Sequence, residues 1–557
     1  MNPQSPVVFG LLSKAFASHQ AGRYVEARQL YQAVLQIDPR QVDALHLLGL
    51  LCSDAGDDES AVRWIGQALT LNPGFAAAHV NLGLALRRLG RHEEALETYD
   101  RAIAIAPDVV EAHFNRGNLL RDMGRTQDAF ESFLRVVQYQ PEHADALNNC
   151  GSILWKAERY EESIDYFDRA LVADARHVDA LVNKASSLEK LGKTAEALPI
   201  YDCVLEMQPE HIVARVNRGS IFEDKGLNSE ALGDYLLAQK FAPDIPDAHW
   251  NEALCRLKIG EYEIGWKKYE WRWKGTQNAW TRNFQSPQWQ GESLNERTIL
   301  LHAEQGFGDT LQFCRYASLV AGLGAKVILE VQPSLVSLLG ALEGVSHIVA
   351  RGDDLPEFDV HCPLMSLPRV LQTTLDTIPS RTPYVFPAEA AVSKWRGILD
   401  QYGVPDRGGR IGIVWDTVTR NNAKRRVALE RLVSTLGEKV AICVLQKEVS
   451  EEDKLRMDDY PNVFSFEGML QDFGDTAALV SLMDVVVSID TGVAHLAGSM
   501  AKPVIVMLPY PAEWRWLQQR DDSPWYPTAR LLRQTDSGDW SPVLKGLAEA
   551  IKGLDIH

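Results

Sequence analysis

The stretch VVVSIDTGVAHLAGSM, Val485 to Met500, decides how the C-terminal half of the chain is read. A run of β-branched residues reads as a strand buried on both faces, and it breaks at Asp490-Thr491-Gly492, where a helical pattern takes over. Strands without polar alternation belong to parallel sheets covered on both sides. Such sheets take ligands beyond the carboxyl ends of their strands. The residues that end this strand are therefore the first candidates for chemistry: Ser488, Asp490, Thr491 and Gly492, with His495 one turn into the helix. Glycine there admits a close backbone approach, and a helix N-terminus favours phosphate. The plainer alternative is that Asp490 or Thr491 caps the helix while His495 packs between helices.

The same alternation extends on either side. TILLHAE, AKVILEVQ, SHIVA and FDVHCPL read as strands, followed by RIGIVWDT, KVAICVLQ, VVVSIDT, KPVIVMLP and ARLLRQ, with helical segments between them. TPYVFPAEA separates the two sets, which predicts two Rossmann-like lobes at 298–385 and 386–557. Two further strand ends carry suggestive residues. In HAEQGFGDTLQFCRY, Gly306 and Gly308 turn the chain and Asp309 opens a helix, either as a cap or as a carboxylate at a cleft mouth able to act as a general base. In RIGIVWDTVTRNNAKRRVAL, Arg420, Lys424, Arg425 and Arg426 suit a diphosphate or make a solvated basic loop.

The first half has a different grammar. Prolines at 39, 73, 107, 141, 209 and 243 recur at 34 residues or twice that. In phase run Gly49, Gly83, Gly117, Gly151, Ala185, Gly219 and Ala253; then Ala27, Ala61, Ala95, Ala129, Ser163, Ala197 and Ala231; then Tyr31, Tyr99, Phe133, Phe167, Tyr201 and Tyr235. This pattern resembles the tetratricopeptide repeat, two antiparallel helices per unit stacked into an α-solenoid with an extended concave surface. Seven repeats from about residue 8 and a degenerate eighth from 246 give a repeat domain over 1–273. Asn81, Asn115, Asn149, Asn183, Asn217 and Asn251 share one repeat position. Asparagine is a mediocre helix former, so the series has one of two meanings. It bonds neighbouring helices, or it forms an amide ladder that clamps an extended peptide backbone. The array is similar in this respect to the repeats of eukaryotic O-GlcNAc transferase, which carry such a ladder.

Between the halves, a tryptophan-rich linker (274–297), the preceding WKKYEWRWKG and Trp250 together hold six of the fourteen tryptophans, from Trp250 to Trp289. They act as apolar glue or, alternatively, as a carbohydrate platform. The formal net charge of −18 argues against a nucleic-acid or anionic-membrane partner. Seven scattered cysteines without a C-x-x-C pair fit a reducing, cytoplasmic compartment, without a disulfide framework or cysteine zinc site. No stretch approaches the ~18 apolar residues that span a bilayer.

SIDTGVAHLAGSMAKPVIVMLP, HAEQGFGDTLQF and PYPAEWRWLQQRDDSPWYPTARLLRQ together resemble the heptosyltransferase-like glycosyltransferases, and bacterial proteins that fuse tetratricopeptide repeats to such a domain. The resemblance implies the two-lobed GT-B fold, a nucleotide-sugar co-substrate, no cofactor and no metal. It implies Asp309 as catalytic base and Gly306, Gly308, Lys424, Ser488, Asp490, Thr491, Gly492 and His495 around the donor. The acceptor is then a protein whose Ser or Thr hydroxyl is presented from the Asn ladder. The chain departs from that family after the IVW strand, where Asp416-Thr417 and RNNAKRR replace a small Ala/Ser-Gly turn and a Lys-Asn-Asp-Arg run. Two other readings stay open: a non-catalytic scaffold with a degenerate transferase domain, and a transferase acting on a glycan or lipid. Homo-oligomerisation is also open.

Overall fold

A computed structural model describes residues 6–275, 282–406, 409–417 and 425–553. Lys424 and Arg420, singled out above, and Trp280 lie outside the described residues. The chain forms two compact units, Met1–Ala214 and Arg215–His557. The first unit is wholly helical, and the second carries the last two helix pairs together with two parallel sheets.

Among the described residues, sixteen helices run from Pro6–Gln20 to Tyr262–Tyr269, in pairs that restart every 34 residues: Val42, Ala76, Val110, Ala144, Val178, Ile212 and Pro246. The in-phase small residues have a direct physical reason. A Cβ built on Gly83 would lie 2.5 Å from the ring of Tyr99, and one on Gly151 would lie 2.5 Å from Phe167. Gly117 with Phe133 (2.7 Å) and Gly219 with Tyr235 (2.6 Å) repeat the arrangement. Each pair is held by a ring of the second helix lying on the bare backbone of the first. The turn inside each pair adds a further series, in which Gly22, Gly56, Gly90, Gly124, Gly192, Gly226 and Gly260 all have positive φ. At the equivalent position Glu158 adopts the same left-handed conformation at φ 60°.

The first sheet holds β1 (Thr298–His302), β2 (Lys326–Val331), β3 (Val345–Ala350) and β4 (Val360–Pro363), all parallel in the order β3-β2-β1-β4. The second holds β5 (Arg410–Val414), β6 (Ala441–Val444), β7 (Val463–Phe464), β8 (Val485–Ile489), β9 (Val504–Leu508) and β10 (Ala529–Arg533), in the order β10-β9-β8-β5-β6-β7. Every strand pairing is parallel. Strands β5, β8 and β9 are buried along their whole length, as their mostly apolar composition without polar alternation requires. The order runs outward in opposite senses from the β5–β8 pair, which opens a crevice at the carboxyl ends of those strands. Only the two-residue β7 has no counterpart in the nine strands expected from sequence. A pair of residues is too short to show a period.

The tryptophans around residue 270 are mostly interior. Trp266 and Trp289 are 1% exposed. Trp266 meets Trp514 edge-on at 5.3 Å, Trp250 lies 4.8 Å from Tyr269, and Tyr262 accepts a hydrogen bond from Trp525 Nε1 at 3.2 Å. These contacts join the last helix pair to the α/β part of the same unit, as the glue reading expects.

Candidate active site

Strand β1 delivers the chain into the turn Gly306-Phe307-Gly308, from which the helix Phe307–Phe313 starts. Asp309 lies in its first turn. One carboxylate oxygen accepts the Gly306 N–H at 2.9 Å, so the capping reading holds. The other is ion-paired with Arg515, and Asp309 at the same time faces a cavity. The neighbouring Glu304 is buried. It accepts two bonds from Arg272 at 3.1 Å and one from the Met365 N–H at 3.1 Å. Burial pushes its carboxyl up to about 7 against the pull of Arg272.

Strand β8 ends in the second turn, and the helix Gly492–Ser499 follows. Gly492 faces the first turn: a Cβ placed on it would lie 3.6 Å from Phe307 Cβ and 3.7 Å from Gly308 N. His495 is enclosed. Its Nδ1 shares a 2.9 Å hydrogen bond with the Tyr526 hydroxyl, and its ring stacks on Trp516 at 5.1 Å. Nε2 sits 3.9 Å from Asp490 Oδ1. A Cβ on Gly308 would come within 2.8 Å of this imidazole, which explains the glycine. Burial, with the Arg515 charge nearby, holds the imidazole down at about 3, so it is neutral. Burial and the Glu513 charge raise Asp490 above the usual carboxylate range.

The two turns line one cavity of about 620 Å³. Of the residues expected from sequence, Gly306, Gly308, Asp309, Asp490, Thr491, Gly492 and His495 line it. Ser488 does not. It is fully buried, its hydroxyl bonded to Ile489 O at 2.6 Å and shared with Thr491 Oγ1 at 2.9 Å, so it braces the turn from behind. Wall residues not foreseen as site residues include Glu513, Trp514 and Arg515, just after β9. They were findable, because the carboxyl end of β9 opens on the same crevice as that of β8.

The charged side chains form a chain. Arg515 pairs with both Asp309 and Glu513, and the other Glu513 oxygen accepts from Arg425 Nη2 at 2.9 Å. Its guanidinium lies 4.5 Å from the Trp514 ring centre. Burial works against the Glu513 charge, but Arg515 and Arg425 bring its carboxyl below the ordinary value. The unusual Asp416 is not a wall residue; it faces Arg426 at 3.4 Å, which also holds Asp453 at 2.9 Å. Its charge is therefore met locally. Among the described residues no group of three or more His, Cys, Asp or Glu could hold a metal.

The ladder asparagines are all partly buried. Asn81 bonds His46 at 2.9 Å, Asn149 accepts from Arg121 at 3.0 Å, and Asn183 donates to Asn148 at 3.0 Å and Ser152 at 3.2 Å. These amides join successive helix pairs.

Tetratricopeptide-repeat profiles match residues 18–69, 74–142, 114–177 and 182–246. The profile of glycosyltransferase family 9 (heptosyltransferase) matches residues 471–519, which hold β8, the second turn, β9, Glu513 and Arg515. The chain is 24% identical over 378 residues to protein FlbA of Caulobacter vibrioides, covering 56% of this chain and 62% of that protein, less than two thirds of its length. Among solved structures it is similar to MamA (24% identity, 29% of this chain and 95% of that one, TM-score 0.28). It is also similar to a tetratricopeptide repeat protein of Parabacteroides merdae (19%, 45% and 98%, TM-score 0.35). No helix among the described residues is long and apolar enough to cross a membrane.

Proposed function

From a chain that joins tetratricopeptide repeats to a heptosyltransferase-like GT-B glycosyltransferase domain, we propose a glycosyltransferase that moves a sugar from a nucleotide-sugar donor to a Ser or Thr hydroxyl of a protein. The observation that carries this reading is the meeting of the two strand-end turns in one cavity. The donor's diphosphate lies against the opening of the helix at Gly492 and the cations Arg425 and Arg515, where dipole and charge stabilise the leaving nucleoside diphosphate without a metal. Asp309 takes the acceptor proton as the hydroxyl oxygen attacks the anomeric carbon and the bond from that carbon to the phosphate oxygen breaks. Asp490 and His495 fix the turn. The acceptor chain is held along the repeat array, and the seven free cysteines favour a cytoplasmic setting.

The test is a thermal-shift panel of nucleoside diphosphates on the full chain, followed by intact-mass measurement of a co-expressed acceptor. Stabilisation by one nucleotide, lost in Asp490→Ala, together with an added hexose or related mass, supports the assignment. No stabilisation by any of them overturns it. A mass gain on small glycans after removal of the repeats points instead to the glycan reading.

A further inference from the structure

The charge pattern of the cavity wall adds a constraint on the order of events. Three cations stand among its described residues, and each already faces a carboxylate: Lys258 with Glu223, Arg425 with Glu513, and Arg515 with both Asp309 and Glu513. Asp490 adds a further acid, and among the described residues of this wall no cation stands in excess. The diphosphate of a nucleotide sugar brings about two negative charges, one on each phosphate. Beyond the N–H groups at the opening of the helix at Gly492, it gains a cationic partner among the described residues by taking one from a carboxylate. Arg515 is the one best placed to be taken. It is 10% exposed at the side chain, rests on Trp514, lies next in line to the acids of both lobes and is buried enough for its interactions to be little screened.

Resting on the donor reading above, we propose that the diphosphate competes with Asp309 for Arg515, so that the base is released for proton abstraction only when the donor is in place. Asp309 is held by Arg515 on one oxygen and by the Gly306 N–H on the other. When the diphosphate binds, Arg515 turns to the phosphate oxygens and one oxygen of Asp309 is freed. The acceptor O–H proton passes to that oxygen, the new carbon–oxygen bond forms at the sugar, and the electron pair of the broken bond leaves with the nucleoside diphosphate, now paired with Arg515. The arrangement enforces donor-first binding and keeps the base from activating water in a donor-free site. Arg515 is a positioning residue for Asp309 and a ligand of the leaving group in turn.

The prediction runs against intuition: removing the base should tighten donor binding. By titration calorimetry with the nucleoside diphosphate that stabilises the unaltered chain, Asp309→Asn should bind about fivefold more tightly. Glu513→Gln, which frees Arg515 and Arg425 without touching Asp309, should tighten binding similarly. Arg515→Gln should weaken it at least as much. Unliganded melting curves for each variant separate folding from binding. Unchanged or weaker affinity in both carboxylate variants, with the unaltered chain still binding, overturns the competition while leaving the donor reading intact. No binding by the unaltered chain removes the donor reading and this inference with it.

Discussion

The repeat array and the cleft use the same small vocabulary of glycine, aromatic ring and carboxylate, but at opposite levels of redundancy. In the array a glycine under a ring recurs at Gly83, Gly117, Gly151 and Gly219, and Gly49 holds the same position against Ile65. Each copy serves its own helix pair. In the cleft Gly308 under the His495 imidazole, and Asp309 beside Arg515, occur once. A repeated contact spreads its importance over many sites, and an unrepeated one concentrates it. Substitutions that look alike on paper should therefore separate by region.

The largest separation is expected at Asp309. Asp309→Asn keeps the shape of the side chain and an acceptor for the Gly306 N–H, yet removes the base. Transfer to a hydroxyl acceptor should fall by up to about 10⁴-fold, or ~5.4 kcal/mol of barrier, with a melting temperature close to that of the unaltered chain. A fall below tenfold in an acceptor-mass assay would remove Asp309 from the base role. No single carboxylate of the array should approach this effect.

Next is the acid response of His495. Its imidazole is held at about 3 in the folded chain against 6.5 for a free histidine. The unfolded chain therefore binds an extra proton between those values. Stability supplied by the neutral ring is complete above about pH 6.5 and is lost as pH falls towards 3, a loss of about 4–5 kcal/mol for the second unit. Glu304, raised to about 7 by burial, acts in the opposite sense, its contribution weakening as pH rises from 4.5 to 7. The difference in denaturant midpoint between the unaltered chain and His495→Gln, followed from pH 7 to pH 4, isolates the imidazole because Glu304 is present in both. A pH-independent difference would mean that His495 accepts a proton where it sits.

How far the sequence could be read follows the same division. The 34-residue period exposes the array because each role is written many times, and the parallel sheets are legible because β5, β8 and β9 are mostly apolar, without polar alternation. The Gly-, Asp- and Thr-bearing turns at the ends of β1 and β8 are legible because acids and glycines are out of place after buried strands. Arg515 was not. It lies in EWRW, a stretch without period, and its meaning depends on Asp309, 206 positions away in the chain. Ser488 was misplaced for a related reason, since a hydroxyl at a strand end looks the same whether it faces the cavity or braces the turn. The left-handed glycine series from Gly22 to Gly260 was in plain view in the period, but only the backbone angles give it a reason.

Smaller effects sharpen the contrast between the two glycine contacts. At Gly308 an added methyl meets an imidazole fixed by Tyr526 on one side and Trp516 on another, so Gly308→Ala should cost about 1–3 kcal/mol. At Gly151 the ring of Phe167 is as close, but the in-phase repeats carry Ala185 and Ala253, and alanine gains about 1 kcal/mol of helix propensity over glycine. Gly151→Ala should therefore change stability by less than about 1 kcal/mol in either direction. Equal costs at both sites, measured by urea denaturation, would break the argument from redundancy.

The smallest expected effect has the opposite sign. Glu158 carries a side chain at φ 60°, where seven equivalent turns use glycine. A left-handed non-glycine residue is strained by about 1 kcal/mol, and glycine removes that strain at some cost in unfolded-chain entropy. Glu158→Gly should then stabilise the first unit by up to about 1 kcal/mol. The neighbouring turn offers the control, because Gly124→Ala would impose the same strain where none exists and should destabilise by a similar amount. If both substitutions destabilised, the carboxylate of Glu158 would be supplying more than its backbone costs, and the array would hold at that turn one residue that is not interchangeable with its copies.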